Sequence, residues 1–248
     1  MEQVKKILGV PIHDIPIDKV WRYFNSGTLN GKVIVTPNVD HVVRFNRDKD
    51  FSVIYSLSDI YLNDSRVLRI LSSFLEESLD NVVPGSELTE YFFENIHNSS
   101  DKRPYCILGA EERDVRIIEK KYSIEKIFHY SPPFGFLDSE DEIDKCVDFC
   151  LSIPDAIYFI SVGSPRQEIL AQRLKAAKVK GVFLCVGASV LFLSGREKRA
   201  PKIFQMLSVE WLYRLVQSPR RLFRRYVIEG PFIFFLLIKY IFKVKKEK

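Results

Sequence analysis

The chain has 248 residues, 46% of them apolar and 28% charged, with a net charge of +5. Those fractions are ordinary for a globular protein and exclude a disordered chain, a collagen-like repeat and a coiled coil; the length suits one large domain, or a domain with an appendage. Charge is unevenly spread: residues 196–248 hold 14 Lys and Arg against 4 Asp and Glu, about +10, leaving 23 against 28, about −5, for residues 1–195. A basic tail on a mildly acidic body points to an anionic partner: nucleic acid, anionic lipid or a phosphorylated substrate. The four cysteines (Cys106, Cys146, Cys150, Cys185) are too few for a disulfide scaffold. Cys146 and Cys150 sit at helical spacing, but no His or Cys follows at zinc-ligand spacing, so they read as buried reduced thiols. The opening Met-Glu-Gln-Val-Lys-Lys lacks the long apolar core of a secretory signal, and a cytoplasmic location is expected.

Taken in chain order, the start leads into strand-like Ile7-Leu-Gly-Val10. Apolar β-branched runs then predict strands over 32–36, 59–62, 105–108, 124–128, 156–162 and 182–186. Helical segments are expected between them, over 39–57, 66–77, 87–96, 111–121, 140–151 and 166–176. This alternation predicts an α/β fold: a Rossmann-like, mostly parallel sheet with helices on both faces. Residues 1–195 form the expected catalytic domain, and 196–248 a basic helical appendage. Within that appendage, Phe232–Val244 is 13 residues long, ~20 Å as a helix. A bilayer core needs ~20 residues, so the segment is too short to span. Its aromatic, lysine-flanked character fits a helix lying on a membrane surface. The other reading is a terminal core helix with a solvated end.

Open parallel sheets bind ligands beyond the carboxyl ends of their strands. The residues there are Thr36-Pro37-Asn38, Asn63-Asp64-Ser65, Gly109-Ala110, Tyr130-Ser131-Pro132-Pro133, Gly163-Ser-Pro-Arg-Gln-Glu168 and Gly187-Ala-Ser189. Several open a helix, where free backbone N–H groups and the helix dipole favour an anion. In the Gly163 segment, Gly permits close backbone approach, Ser164 suits a cap and Pro165 the first helical turn. Gln167 and Glu168 then fall in that first turn, near any ligand; an ordinary capped strand-to-helix turn is the alternative. No Gly-x-Gly-x-x-Gly and no Gly-Lys-[Ser/Thr] occurs, which disfavours a dinucleotide enzyme or a P-loop NTPase.

Asp64 is the candidate catalytic carboxylate. At the tip of a strand and facing a pocket, it can take a proton from a substrate hydroxyl; equally, it can be the N-cap of the helix starting at Arg66. Thr36 and Asn38, one strand away, can orient the same substrate. The acids between Asp138 and Asp144 look like a solvated helix start, and His41, His97 and His129 are scattered. No metal and no cofactor is expected.

In order along the chain stand Thr36-Pro-Asn38, Asp64, Gly85-Ser-Glu-Leu-Thr89, Tyr130-Ser-Pro-Pro-Phe-Gly135, Val162-Gly-Ser-Pro-Arg-Gln-Glu168, Val186-Gly-Ala-Ser189 and Lys198-Arg-Ala-Pro201. Glu210-Trp-Leu-Tyr-Arg-Leu-Val-Gln-Ser-Pro-Arg-Arg-Leu-Phe-Arg-Arg-Tyr226 follows. Over roughly residues 6–230 the chain resembles the WecG/TagA/CpsF family of bacterial glycosyltransferases. The resemblance implies inverting, metal-independent transfer of a sugar from a UDP-sugar donor to a polyprenyl-diphosphate-linked sugar, peripherally on the inner face of the cell membrane, in capsule, exopolysaccharide, teichoic acid or common antigen synthesis. It makes Asp64 the base, and Thr36, Asn38 and Gln167 substrate-binding residues; Glu168 joins them from its place in the same first turn. Arg214, Arg221 and Arg224 become the arginines that grip the acceptor diphosphate. Gly109, Ala110, Ser131, Gly163 and Gly187 are the expected nucleotide-binding positions.

A departing diphosphate gathers negative charge, which helix N-termini at Gly109, Gly163 and Gly187, and above all arginines, can stabilise. Arg214, Arg221, Arg224 and Arg225 are spaced 7, 3 and 1 apart, so three share one helix face, although Ser218-Pro219 interrupts the helix. Three departures from the family pattern stand out: Asn63-Asp64-Ser65 replaces Pro-Asp-Gly, Val82-Val83 stands where an Arg is frequent, and Leu191 replaces an acid. The last two fall in expected sugar contacts and leave the transferred sugar open. Rival readings are a nucleic-acid-binding protein, disfavoured because no recognisable nucleic-acid module accompanies the basic tail, and an inactive scaffold of a polysaccharide assembly complex. A homo-oligomer is compatible with the sequence.

Overall fold

A computed structural model of the chain describes residues 4–247 other than 154, 202 and 205–207; the side chains of Arg221 and of residues 243–247 lie outside the description. The first elements form a hairpin, β1 (Val4–Ile7) and β2 (Val10–His13), joined by Leu8 and Gly9 at φ 47° and 91°. Two successive positive-φ residues make the turn that matches strand twist. The strand-like Ile7–Val10 run is therefore the corner of a hairpin. Helix α1 (Ile17–Asn25), absent from the sequence reading, follows.

A six-stranded parallel sheet then builds up in the order β4-β3-β8-β7-β5-β6. Its strands are β3 (Val33–Val35), β4 (Ile60–Tyr61), β5 (Tyr105–Leu108), β6 (Phe128–Tyr130), β7 (Ala156–Ile160) and β8 (Gly181–Cys185). The helices along the body are α2 (Val39–Arg47), α3 (Lys49–Ser56), α4 (Arg66–Ser72), α5 (Gly85–Glu94), α6 (Glu112–Tyr122), α7 (Glu140–Leu151), α8 (Arg166–Ala176) and α9 (Ser189–Leu193). Strand side chains alternate between two cores: Tyr158, Ile160, Phe183 and Cys185 pack with α2, α4, α7 and α8, whereas Ile157, Phe159, Val182 and Leu184 pack with α1, α5, α6 and α9. The α/β expectation of a parallel sheet covered on both faces holds.

Local chemistry sets the boundaries that differ from expectation. The expected helix 39–57 is two helices, because Asp48 adopts extended backbone (φ −118°, ψ 109°) and its side chain accepts from the Phe51 amide at 3.0 Å. The fourth expected strand lies later, at Phe128–Tyr130, since Ile124 and Ile127 donate their amides to Glu119 in closing α6. Helix α4 stops at Ser72, whose hydroxyl accepts from the Leu79 amide as the chain turns back.

Past residue 195 the chain forms α10 (Glu210–Gln217), α11 (Pro219–Phe223), a π-helical turn (Arg224–Glu229) and α12 (Phe232–Glu247). One face of α12 joins the α2 side of the core through Ile233, Leu236 and Leu237. The opposite face leaves Phe234, Phe235, Ile238 and Phe242 more than half exposed. Among the described residues no helix is long and apolar enough to cross a membrane.

Candidate active site

Between β3 and β8 the chain leaves adjacent strands toward opposite faces, α2 to one core and α9 to the other. Such a switch point opens a crevice at the carboxyl edge. Thr36 and Asn38 follow β3, Asp64 follows β4, and Gly187 and Ser189 follow β8.

Asp64 is held from two sides. Asn38 Nδ2 donates to its Oδ2 at 3.3 Å, and the Gly85 amide donates to its Oδ1 at 3.2 Å. Asn38 is itself fixed as the N-cap of α2, with Oδ1 accepting from the amides of Asp40 and His41 at 3.1 and 3.4 Å. The capping alternative for Asp64 falls away, because Ser65 caps α4: its Oγ accepts from the Leu68 amide at 3.2 Å. Burial pushes the Asp64 carboxyl up to about 6, against Arg214, Asn38 and the Gly85 amide, which favour the charged form. A carboxylate in that range is largely deprotonated at neutral pH yet still basic enough to accept a proton.

Two cavities meet at this carboxylate. One, about 320 Å³, lies under the C-terminal helices and is walled by apolar groups including Val67, Pro84, Trp211, Ile233 and Phe234. The other, about 720 Å³, fills the crevice and is lined by Thr36, Gly163, Arg166, Gln167, Gly187 and Ser189 among others. Asn38, Asp40, Asp64, Arg214, Arg225 and Tyr226 belong to both.

Gln167 stands where the sequence placed it, with Oε1 accepting from the Gly187 amide at 2.9 Å and Nε2 donating to Glu168 Oε1 at 2.9 Å. Glu168 lies beneath the cavity rather than in it: it is fully buried, and burial raises its carboxyl. Its side chain touches the cavity lining through Gln167 and Ser164. Ser164 is not a cap, since no side chain caps α8; its Oγ accepts from Arg44 instead. Gly109, Ala110 and Ser131 sit beyond β5 and β6, outside the lining of both cavities, and the Gly109 amide is spent on Tyr130 O. Leu191 and Val82-Val83, the departures expected at sugar contacts, are not in either lining; Ser65 is.

Among the tail arginines, Arg214 lines both cavities with its guanidinium 5.1 Å above the Phe192 ring. Arg224 points away, exposed and bonded to Glu229 at 2.8 Å, and Arg225 faces the site in its place. Pro219 opens α11, and the π-helical turn begins at Arg224. The Arg221 side chain lies outside the described residues. Sequence reasoning also missed Gly85, Asp40 and Glu210. A Gly85 Cβ would stand 3.0 Å from Thr36 Oγ1, so glycine there allows the close approach that lets its amide reach Asp64. Among the described residues, no three His, Cys, Asp or Glu side chains converge as metal ligands would.

The model of the glycosyl transferase WecG/TagA/CpsF family matches residues 5–247. The chain belongs to that family. It is a glycosyltransferase, as the sequence resemblance implied. Relatives from Staphylococcus aureus strains MW2, NCTC 8325 / PS 47 and COL are each 27% identical over 251 residues, covering 98% of this chain and 95% of the relative. All three are named N-acetylglucosaminyldiphosphoundecaprenol N-acetyl-beta-D-mannosaminyltransferase. An acceptor sugar on a polyprenyl diphosphate, the class expected from the sequence, is thus the class these relatives are named for.

Proposed function

We propose that this glycosyltransferase moves a sugar from a UDP-sugar onto a hydroxyl of a polyprenyl-diphosphate-linked sugar at a membrane surface, with Asp64 as base. The observation that carries the reading is Asp64 at the junction of a polar and an apolar cavity. The polar crevice suits the nucleotide sugar. Its neighbour suits the first isoprenyl units, leaving the acceptor hydroxyl at the carboxylate. Asp64 removes the hydroxyl proton as that oxygen bonds the donor's anomeric carbon, on the face opposite the breaking bond to UDP, so configuration inverts. Arg214, with no ion pair among the described residues, is placed to meet diphosphate charge, and Arg166 lines the same crevice.

Residues 196–248 serve in this reading as the arm that closes the acceptor side and rests on the membrane. The N-acetylmannosamine of the relatives' names is the first donor sugar to try. A panel of UDP-sugars offered with a short-chain diphosphate-linked acceptor, with and without EDTA and read by mass spectrometry, tests the proposal. One disaccharide product is expected, lost in Asp64→Asn; no product with any UDP-sugar refutes it.

A further inference from the structure

Arg225 reaches the site from the C-terminal arm but is not arranged as a substrate ligand. Its Nη2 lies 3.3 Å from Asp40 Oδ2 and donates to Asn38 Oδ1 at 3.4 Å. Asp40, which also faces Arg44 at 4.0 Å, balances its charge. Arg214 has no such partner among the described residues, so of the two it is the better placed to meet a diphosphate. Among the described residues, the buried Arg225 Nε has no hydrogen-bond partner. Leaving a donor so costs free energy; among the described residues the guanidinium's polar contacts are those of Nη2.

Asn38 is the residue those contacts touch. Its Oδ1 takes the α2 amides at 3.1 and 3.4 Å and Arg225 at 3.4 Å, and lies 2.9 Å from His41 Nδ1; the amide donors mark it as the oxygen and turn Nδ2 to Asp64. We propose that Arg225 is a positioning residue that, from the docked C-terminal arm, clamps Asn38 between Asp40 and Asp64 and so sets the base only when the arm is in place. The inference rests on the reading of Asp64 as the base. Around that carboxylate stand Asp40 on α2, Arg66 on α4 (paired with Glu87 on α5 and with Glu210), Glu210 and Arg214 on α10, and Arg225 with Tyr226. His41 is held neutral by burial and by Arg225 and Arg44, and burial keeps the Tyr55 phenol protonated. Neither competes with Asp64 for a titration near neutrality.

The test compares the full-length protein with Arg225→Met, Asn38→Ser and the double variant in the short-chain acceptor assay, from acid to alkaline pH. Serine keeps the α2 cap. Arg225→Met should lower kcat about tenfold, leave the donor KM nearly unchanged and move the acid limb to higher pH, because a loosened Asn38 no longer favours the charged carboxylate. In the Asn38→Ser background the same change should add almost nothing. Additive losses, or a raised acceptor KM with an unmoved acid limb, would overturn the proposal and make Arg225 a diphosphate ligand. Should Arg225→Met misfold, Arg225→Lys keeps the charge beside Asp40 without bridging to Asn38; its acid limb should move the same way, and an unmoved one overturns the idea. Activity surviving in Asp64→Asn would instead remove the base on which this rests.

Discussion

Asn38 and Asp64 face each other across the ends of adjacent strands, Nδ2 donating to Oδ2 at 3.3 Å while the Gly85 amide holds the other oxygen at 3.2 Å. Two donors favour the carboxylate and burial opposes it; the balance at about 6 leaves a group that is deprotonated at neutral pH yet basic enough to take a proton.

Asp64→Asn should lower kcat by about 10²–10⁴ while UDP binding persists. In the wild type, kcat/KM should rise with pH through about 6. The same residue works against stability. Its folded pKa lies above the unfolded value of ~3.9, so between the two the folded state binds more protons and stability falls as pH rises. Relieved of that, Asp64→Asn should be about 1–2 kcal/mol more stable at neutral pH, seen as a higher melting temperature. Unimpaired transfer, or a variant that melts lower, contradicts this account.

Gly85→Ala tests the close packing around Asp64. The new methyl would meet Thr36 Oγ1 at 3.0 Å and Ser189 Oγ at 3.4 Å. Pushing Thr36 into the crevice displaces the Gly85 amide from Asp64, and misplacement on the ångström scale costs up to about 10² in rate. Thermal unfolding should change little, since alanine suits a first helical turn. Wild-type kinetics would show that the contact is slack.

Most of this was legible in the sequence for a physical reason. Strands buried on both faces, such as Ala156–Ile160 and Gly181–Cys185, must be apolar throughout, and their ends must turn; Asp64, Asn38 and Gln167 were found that way. Features that depend on one side chain diverting the backbone were not legible: the Asp48 cap that splits a helix, and the Glu119 bonds that delay β6. Arg225 was obscured differently. Adjacent helix residues point about 100° apart, so only one of Arg224 and Arg225 can look inward; the family resemblance selected Arg224, and the structure turns Arg225 to the site. Gly85 stood in a quoted motif, but its use follows from the approach of β3, which no local pattern records.

The arm is tied over the site by charge. Arg66 on α4 pairs with Glu210 on α10 and lies 3.5 Å from Glu87. Both partners are about three-quarters buried, so the pair should outweigh a surface bridge. Glu210→Lys should loosen the arm, raising proteolytic cleavage between 196 and 218 and cutting transfer severalfold. The exchange Arg66→Glu with Glu210→Lys should restore part of both. No rescue, with cleavage unchanged in the single variant, would mean that apolar packing of α12 alone holds the arm.

The outward face of α12 supplies the last expectation. Phe234, Phe235, Ile238 and Phe242 are each more than half exposed, a stripe of apolar groups opposite the face that packs on α2, with Arg220, Arg224 and Lys239 exposed on the same arm. Large apolar groups left in water together mark an interaction surface. A membrane would account for both the apolar stripe and the cations, in keeping with the lipid-linked acceptor proposed above. Replacing Phe235 and Ile238 by Ser removes two half-exposed side chains from the bilayer, about 2 kcal/mol in all, or roughly a thirtyfold loss of affinity for vesicles containing anionic lipid. Catalysis on a short-chain, water-soluble acceptor should survive, because neither residue lines a cavity. Raising salt should weaken wild-type binding through the cations. Vesicle binding unchanged in the double variant would take the membrane role away from this face.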